Sequence, residues 1–261
     1  MILSENSIFD DHIVSVSEFT LEDLRTVSFQ IENDSDMELS KFFNSKIITD
    51  CNSIDRFNLL FTARYRFINE TITLNNGESN ITLNLNLLKN NLLKNIKNIR
   101  NTICIDNFYM TLDYPNNLFY DIGELLEIDC IDNIIYKGKE VNFKNLKISE
   151  KVDLYEKLPI DVIREVKKFI DNNDTDVILM ESKFNLPEIK INLFDNSAFY
   201  LLKTLYNYYN YEDIIETLFM LSKRIPDIQY LNSRNPRDLD ILIRLYKDDF
   251  DNSSQPAKLH I

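Results

Sequence analysis

Three stretches between residues 69 and 144 each read as two short strands joined by a tight turn. They commit the middle of the chain to antiparallel β structure. In the first, residues 70–75 and 80–87 alternate apolar and polar side chains around Asn75-Asn76-Gly77-Glu78-Ser79. Asn-Gly is the strongest short hairpin signal, because both residues tolerate positive φ. Ile81, Leu83, Leu85 and Leu87 point to one face of that second strand, and Thr82, Asn84 and Asn86 to the other. The second hairpin covers 102–113 and turns at Asp106-Asn107; Pro115 ends it, since proline cannot extend a ladder. The third turns at Lys137-Gly138-Lys139. Residues 69–144 are thus expected to form a compact, mostly-β module.

Helical periodicity dominates on both sides. The first fifty residues begin as a partly extended segment and continue into a helix near 36–48, with Met37, Leu39, Phe42, Phe43 and Ile47 as its apolar positions. Residues 54–67 form the first strong helix, carrying Ile54, Phe57, Leu60, Phe61, Arg64 and Tyr65 at helical spacing. Residues 87–100 read as a basic amphipathic helix with Lys89, Lys94, Lys97 and Arg100, and 118–129 as a further helix. Beyond Ser149 the pattern is mainly helical. One helix opens at 149–152. A second covers 159–172, with Ile160, Ile163, Val166, Phe169 and Ile170 on one face and Pro159 at a permitted first-turn position. Residues 187–194 are the last strand candidate. Two helices fill 196–224 with a break near Asn210, and Asn235-Pro236 starts a final helix over 235–249. The fold class is therefore α+β: a central antiparallel β-hairpin module flanked by helices, with a helical C-terminal region. The expected division is 1–53 (acidic segment with a short helix), 54–148 (helix plus mostly-β module), 149–251 (helical domain) and 252–261 (flexible tail).

Composition removes several classes of function. The net charge of −13 disfavours a general nucleic-acid binder, which needs a basic face. Three separated glycines, Gly77, Gly123 and Gly138, leave no glycine-rich phosphate loop or dinucleotide fingerprint. Two histidines, His12 and His260, offer little to histidine catalysis or a histidine metal site. The three cysteines, Cys51, Cys104 and Cys130, lack any C-x-x-C spacing and read as buried free thiols. No apolar run reaches 18 residues, so no membrane span is expected. The N-terminus has acids where a signal peptide has its apolar stretch, which points to a cytosol-like compartment. Eleven acids against Arg25, Lys41 and Lys46 give the first fifty residues a net charge of −8, the mark of a candidate flexible acidic arm for a basic partner.

Few residues nominate a site. The adjacent acids Asp10/Asp11, Glu22/Asp23, Glu212/Asp213 and Asp248/Asp249 would serve hydrolysis only if two of them converged in a pocket with separated pKa values. No catalytic, cofactor-binding or metal-binding residue is assigned. The run Tyr206-Asn207-Tyr208-Tyr209-Asn210-Tyr211 offers side chains with large area and a polar tip. Tyr206, Tyr208, Tyr209 and Tyr211 are accordingly candidate partner contacts, with ordinary core packing as the alternative. Arg64 and Arg66 join them; an arginine at an apolar helix end fixes a buried carboxylate or backbone carbonyls with its fork. The basic helix 89–100 reads as a solvated face or as an intramolecular partner for the acidic N-terminal segment.

The order of these pieces resembles a known family. It runs from the Arg64-to-Leu74 helix-to-strand join to the strand end Leu112-Asp113-Tyr114-Pro115 and the segment Cys130-Ile131-Asp132-Asn133-Ile134. It continues with the Leu158-Pro159 helix start and a C-terminal helix pair leading to Arg234-Asn235-Pro236-Arg237-Asp238. Over roughly residues 54–249 this succession is similar to the T-even-type contractile-tailed phage baseplate hub family. The resemblance implies no enzyme activity, cofactor or metal. It implies contacts with other baseplate hub or tail proteins, as an assembly factor in the host cytoplasm or as a part of the virion tail baseplate. Oligomeric state within the assembly stays open. So do two other readings: a regulatory interaction protein of a low-GC virus or host, and a carboxylate-dependent hydrolase.

Overall fold

The computed structural model describes residues 1–75, 80–121, 123–182, 188–207 and 210–253 of the chain. It opens with a hairpin, β1 (Ile2–Asn6) and β2 (Ile13–Ser17), in which Ile2 faces Ser17 and Asn6 faces Ile13. Val14 and Val16 alternate inward and are fully buried. Helix α1 (Leu21–Glu32) follows, started by a capping box: the Asp23 amide donates to Thr20 Oγ1, and the Thr20 amide donates to Asp23 Oδ2 at 2.7 Å. Helix α2 (Asp36–Lys46) lies against α1 and buries Leu39 and Phe43. The first fifty residues are therefore folded around the core and are not a free acidic arm. Phe19, Leu21, Leu24 and Val27 are buried, and the neighbouring acids Glu18 and Asp23 are held by the N-terminal amine and by Lys46.

Helix α3 (Ser53–Ala63) is the centre of the molecule. Asn52 caps it by accepting the Asp55 amide, and ten of its eleven residues are buried. It is enclosed although Ser53, Asp55, Asn58 and Thr62 are polar, packing against β1, β2, α4 and α8. It runs on into a single π-helical turn, Arg64–Ile68, which hands the chain to β3 (Thr71–Asn75). Strand β4 (Asn80–Asn84) pairs antiparallel with β3, Ile72 opposite Leu83. The turn at Asn76, Gly77, Glu78 and Ser79 lies outside the described residues.

The expected strand to Leu87 stops three residues early. Asn84 Oδ1 accepts the amides of Asn86 and Leu87 and starts helix α4 (Leu85–Asn95). Leu85, Leu88 and Leu92 are then buried at helical spacing, while Leu87 is exposed. Lys97 and Arg100 lie beyond the helix they were expected to extend.

Strands β5 (Asn101–Ile105) and β6 (Phe108–Leu112) form the second hairpin, with Asp106 at φ 51° in its turn. Only Gly123–Asp129 of the expected helix 118–129 is helical (α5); Asn116 and Leu118 are buried in an irregular run before it. Strands β7 (Ile131–Tyr136) and β8 (Lys139–Asn142) complete an antiparallel sheet in the order β5-β6-β7-β8. Their two-residue turn places Lys137 at φ 48° and Gly138 at φ 75°, the left-handed pair a tight hairpin requires.

Helices α6 (Ile148–Tyr155) and α7 (Ile160–Asn173) follow. The inward face of α7 is Val162, Val166 and Phe169; Ile160, expected there, is exposed at the helix start. Strands β9 (Val177–Met180) and β10 (Ile189–Ile191) make a small antiparallel pair. The chain continues through α8 (Ser197–Tyr206), α9 (Tyr211–Ser222), α10 (Ile228–Asn232) and α11 (Pro236–Ser253). Asn235 caps α11 as expected, and Asn210, expected as a break between helices, caps α9; each accepts an amide three residues on. The architecture is α+β. The tail from residue 254 lies outside the described residues.

Candidate interaction surface

Arg64 sits at the end of α3, fully buried, with its fork on backbone carbonyls: Nε donates to Leu205 O at 2.7 Å and Nη1 to Asn69 O at 2.8 Å. Of the two roles expected for such an arginine, the structure shows the carbonyl one. Tyr206 is 1% exposed, donates its hydroxyl to Leu60 O at 2.7 Å, and packs its ring 4.9 Å from Phe19 and 5.0 Å from Phe43. Burial pushes its phenol well above the ordinary tyrosine value, with the Arg64 charge opposing. Arg64 and Tyr206 are core groups and present no area to a partner, which corrects the expectation for both. Arg66 is exposed, its guanidinium 5.2 Å from the Tyr65 ring. Tyr208 and Tyr209 lie outside the described residues. Tyr211 is half-buried, its ring 6.1 Å from Phe29.

Two of the four cations of 89–100, Lys89 and Arg100, meet acids of the N-terminal segment, while Lys94 and Lys97 are exposed. Lys89 Nζ is 2.9 Å from Glu5, and Arg100 Nη1 is 2.8 Å from Asp10. Arg100 also reaches Asp132 at 2.8 Å and Asp113 at 3.9 Å, and Lys144 holds the other Asp132 oxygen at 2.7 Å. Burial works against the Arg100 charge, but Asp132, Asp113 and Asp10 together keep its pKa above the usual arginine value. Burial raises the Asp113 carboxyl, helped by the Asp132 charge and opposed by the Tyr114 amide. One step away, Asp129 accepts from Lys151 at 3.2 Å and from the Tyr120 hydroxyl at 3.0 Å. A buried carboxylate charge is tolerated only when paired, and the pairs close junctions: Arg100 joins Asp10 of the first hairpin's loop to Asp132 of β7, and Lys151 joins α6 to Asp129 at the end of α5. Little along the chain marks this cluster, because its members are spread over more than a hundred positions.

Buried Cys51 has its thiol raised to about 11, chiefly by burial, and burial also raises the thiol of Cys130. Cys104 is exposed on β5, against expectation, because its strand position faces away from the core. A cleft of about 880 Å³ opens beside α4 and β9. Lys94 and Lys97 stand on its wall with Asp176 and Glu181, so charges of both signs line it. Asn91 and Asn95, one helical turn apart on α4, donate their amides to the carbonyls of Leu179 and Ile178 at 2.8 and 2.7 Å. They tie β9 to α4.

Exposed apolar area gathers on α9. Its inner face is Ile214, Leu218 and Leu221; Ile215, Phe219 and Met220 are exposed as well, Phe219 at 64%. The signal was present in the sequence: Ile214-Ile215 and Leu218-Phe219-Met220-Leu221 hold more apolar residues than one buried stripe uses. Exposed Phe29 extends the row past Tyr211, and Tyr230 on α10 is exposed with Arg234 stacked 4.2 Å over its ring.

Neither a curated protein nor a solved structure matches the chain. A family described as T4 bacteriophage base plate protein matches residues 7–187, from the loop of the first hairpin to the segment before β10. That span takes in α3, the four-stranded sheet and the Arg100 cluster, and it leaves α8 to α11 beyond its limit. Covering well over half of the chain, the match places it: the protein belongs to the T4 bacteriophage base plate protein family.

Proposed function

We propose that this chain acts, without enzyme chemistry, in assembling the central hub of a contractile-tail baseplate, through contacts with other hub or tail proteins. Its site of action is the host cytoplasm during assembly, and the tail baseplate if it stays in the virion. Membership of the baseplate family over residues 7–187 carries this reading. The apolar side chains standing free on α9 support it, because such area on a folded chain marks a contact surface.

Mass spectrometry of purified virions, run beside a pull-down of the tagged chain from phage-infected cells, tests the proposal. Recovery with hub proteins in both preparations identifies a retained hub component. Recovery only from infected cells identifies an assembly factor. Recovery with neither hub nor tail proteins overturns it.

A further inference from the structure

On the footing of that reading, we propose that the outer face of α9 is the docking surface for a basic amphipathic helix of a second protein. Tyr211, Ile215 and Phe219 recur every four residues and so form one row along the helix, with Ile215 and Phe219 exposed. Phe29 of α1 adjoins the row at Tyr211. Glu212 and Glu216 recur at the same spacing and form a second, acidic row beside the first, both exposed. No described cation lies within 4.0 Å of either, and Lys223, just past the helix end, leans over the Phe219 ring at 4.8 Å.

An apolar seam bordered by acids selects its partner by charge, as the flanking positions of a coiled coil do. The complement is a helix with an apolar row bordered by lysine or arginine. A second copy of this chain is a poor complement: a two-fold pairing of α9 with itself sets Glu212 and Glu216 against their own images. An anionic membrane or a nucleic acid meets the same repulsion.

The test places the photo-cross-linking residue benzoylphenylalanine at Phe219 of the full chain, in phage-infected cells, and sequences the attached peptide. The expected product is a peptide from another protein, with apolar residues and Lys or Arg at spacings of three and four. Its yield should fall at least fivefold when Glu212→Lys and Glu216→Lys are added. A peptide from this same chain, an acidic peptide, or a yield indifferent to charge reversal overturns the proposal. So does the absence of any cross-link in baseplate intermediates that contain the chain. Absence of the chain from every baseplate intermediate overturns the hub reading instead, and the cross-linked peptide then judges the surface alone.

Discussion

Arg64 Nε lies 2.7 Å from the carbonyl oxygen of Leu205, 141 residues further along the chain, and Tyr206 returns the contact through its hydroxyl to Leu60. The last carbonyls of a helix have no intrahelical donor and carry partial negative charge. Leu205 is in the last turn of α8, so a guanidinium satisfies it well. The pair ties the end of α3, inside the family-matched region, to α8, which lies beyond it.

Replacing Arg64 by lysine keeps the charge and loses the fork. One ammonium cannot reach both the Leu205 and Asn69 carbonyls in the same geometry. Arg64→Lys should therefore cost about 2–4 kcal/mol, the range for disturbing a buried, hydrogen-bonded charge. Exposed Lys94→Ala should stay within about 0.5 kcal/mol. Thermal melts of the two variants check this, and equal small shifts would show that the fork is dispensable.

The burial of Asp113 gives this group a pH-dependent share of the stability, with a sign that follows from its raised carboxyl. Its folded carboxyl holds a proton more firmly than the unfolded one, because burial penalises the charge. Stability from this group is therefore full at low pH. It is lost as pH rises from the unfolded value, about 3.9, through the raised folded value. Asp113→Asn, which keeps the oxygen that accepts the Tyr114 amide, removes that loss. The melting temperature of the variant minus that of the parent should grow between pH 4 and pH 7. A difference flat in pH would mean that Asp113 is not the titrating group.

Much of this fold is legible in the sequence where short-range chemistry decides it. Asp106-Asn107 and Lys137-Gly138 marked their turns, Asn235-Pro236 the start of α11, and Asn210 the break between two helices. What escaped depended on distant partners. Helix α1 hides among acids, and its apolar face, Leu21, Leu24 and Val27, gains meaning only against the core. Strand β9 is four residues long and is defined by β10 and by the α4 asparagines. Along α4 the leucines fit period two and period 3.6 equally, and the Asn84 cap settled the matter. Tyr206 looked like an interface tyrosine because composition does not show the pocket that Phe19 and Phe43 make for it.

The asparagine pair on α4 should matter more than its neighbours. Asn91→Ala leaves the Leu179 carbonyl without its side-chain donor and should cost about 1 kcal/mol. Asn90 is exposed on the same helix, and Asn90→Ala should be near neutral. Hydrogen exchange locates the effect: amides of β9 should exchange faster in the first variant and not in the second. Unchanged β9 protection in Asn91→Ala would assign that strand's stability to β10 alone.

Core and surface aromatics of the C-terminal helices should separate cleanly. Tyr206→Phe removes a buried hydroxyl and leaves the Leu60 carbonyl one donor short, at a cost of about 1 kcal/mol. Phe219→Ser removes a ring that is 64% exposed, so the melt should move by no more than about 0.5 kcal/mol. Recovery in assembled baseplates should show the reverse order. Tyr206→Phe keeps the outer face of α9 and should be retained at parental levels, whereas Phe219→Ser should be depleted severalfold despite its intact fold. Depletion that follows the melting temperatures instead would mean that assembly senses stability and not the α9 surface.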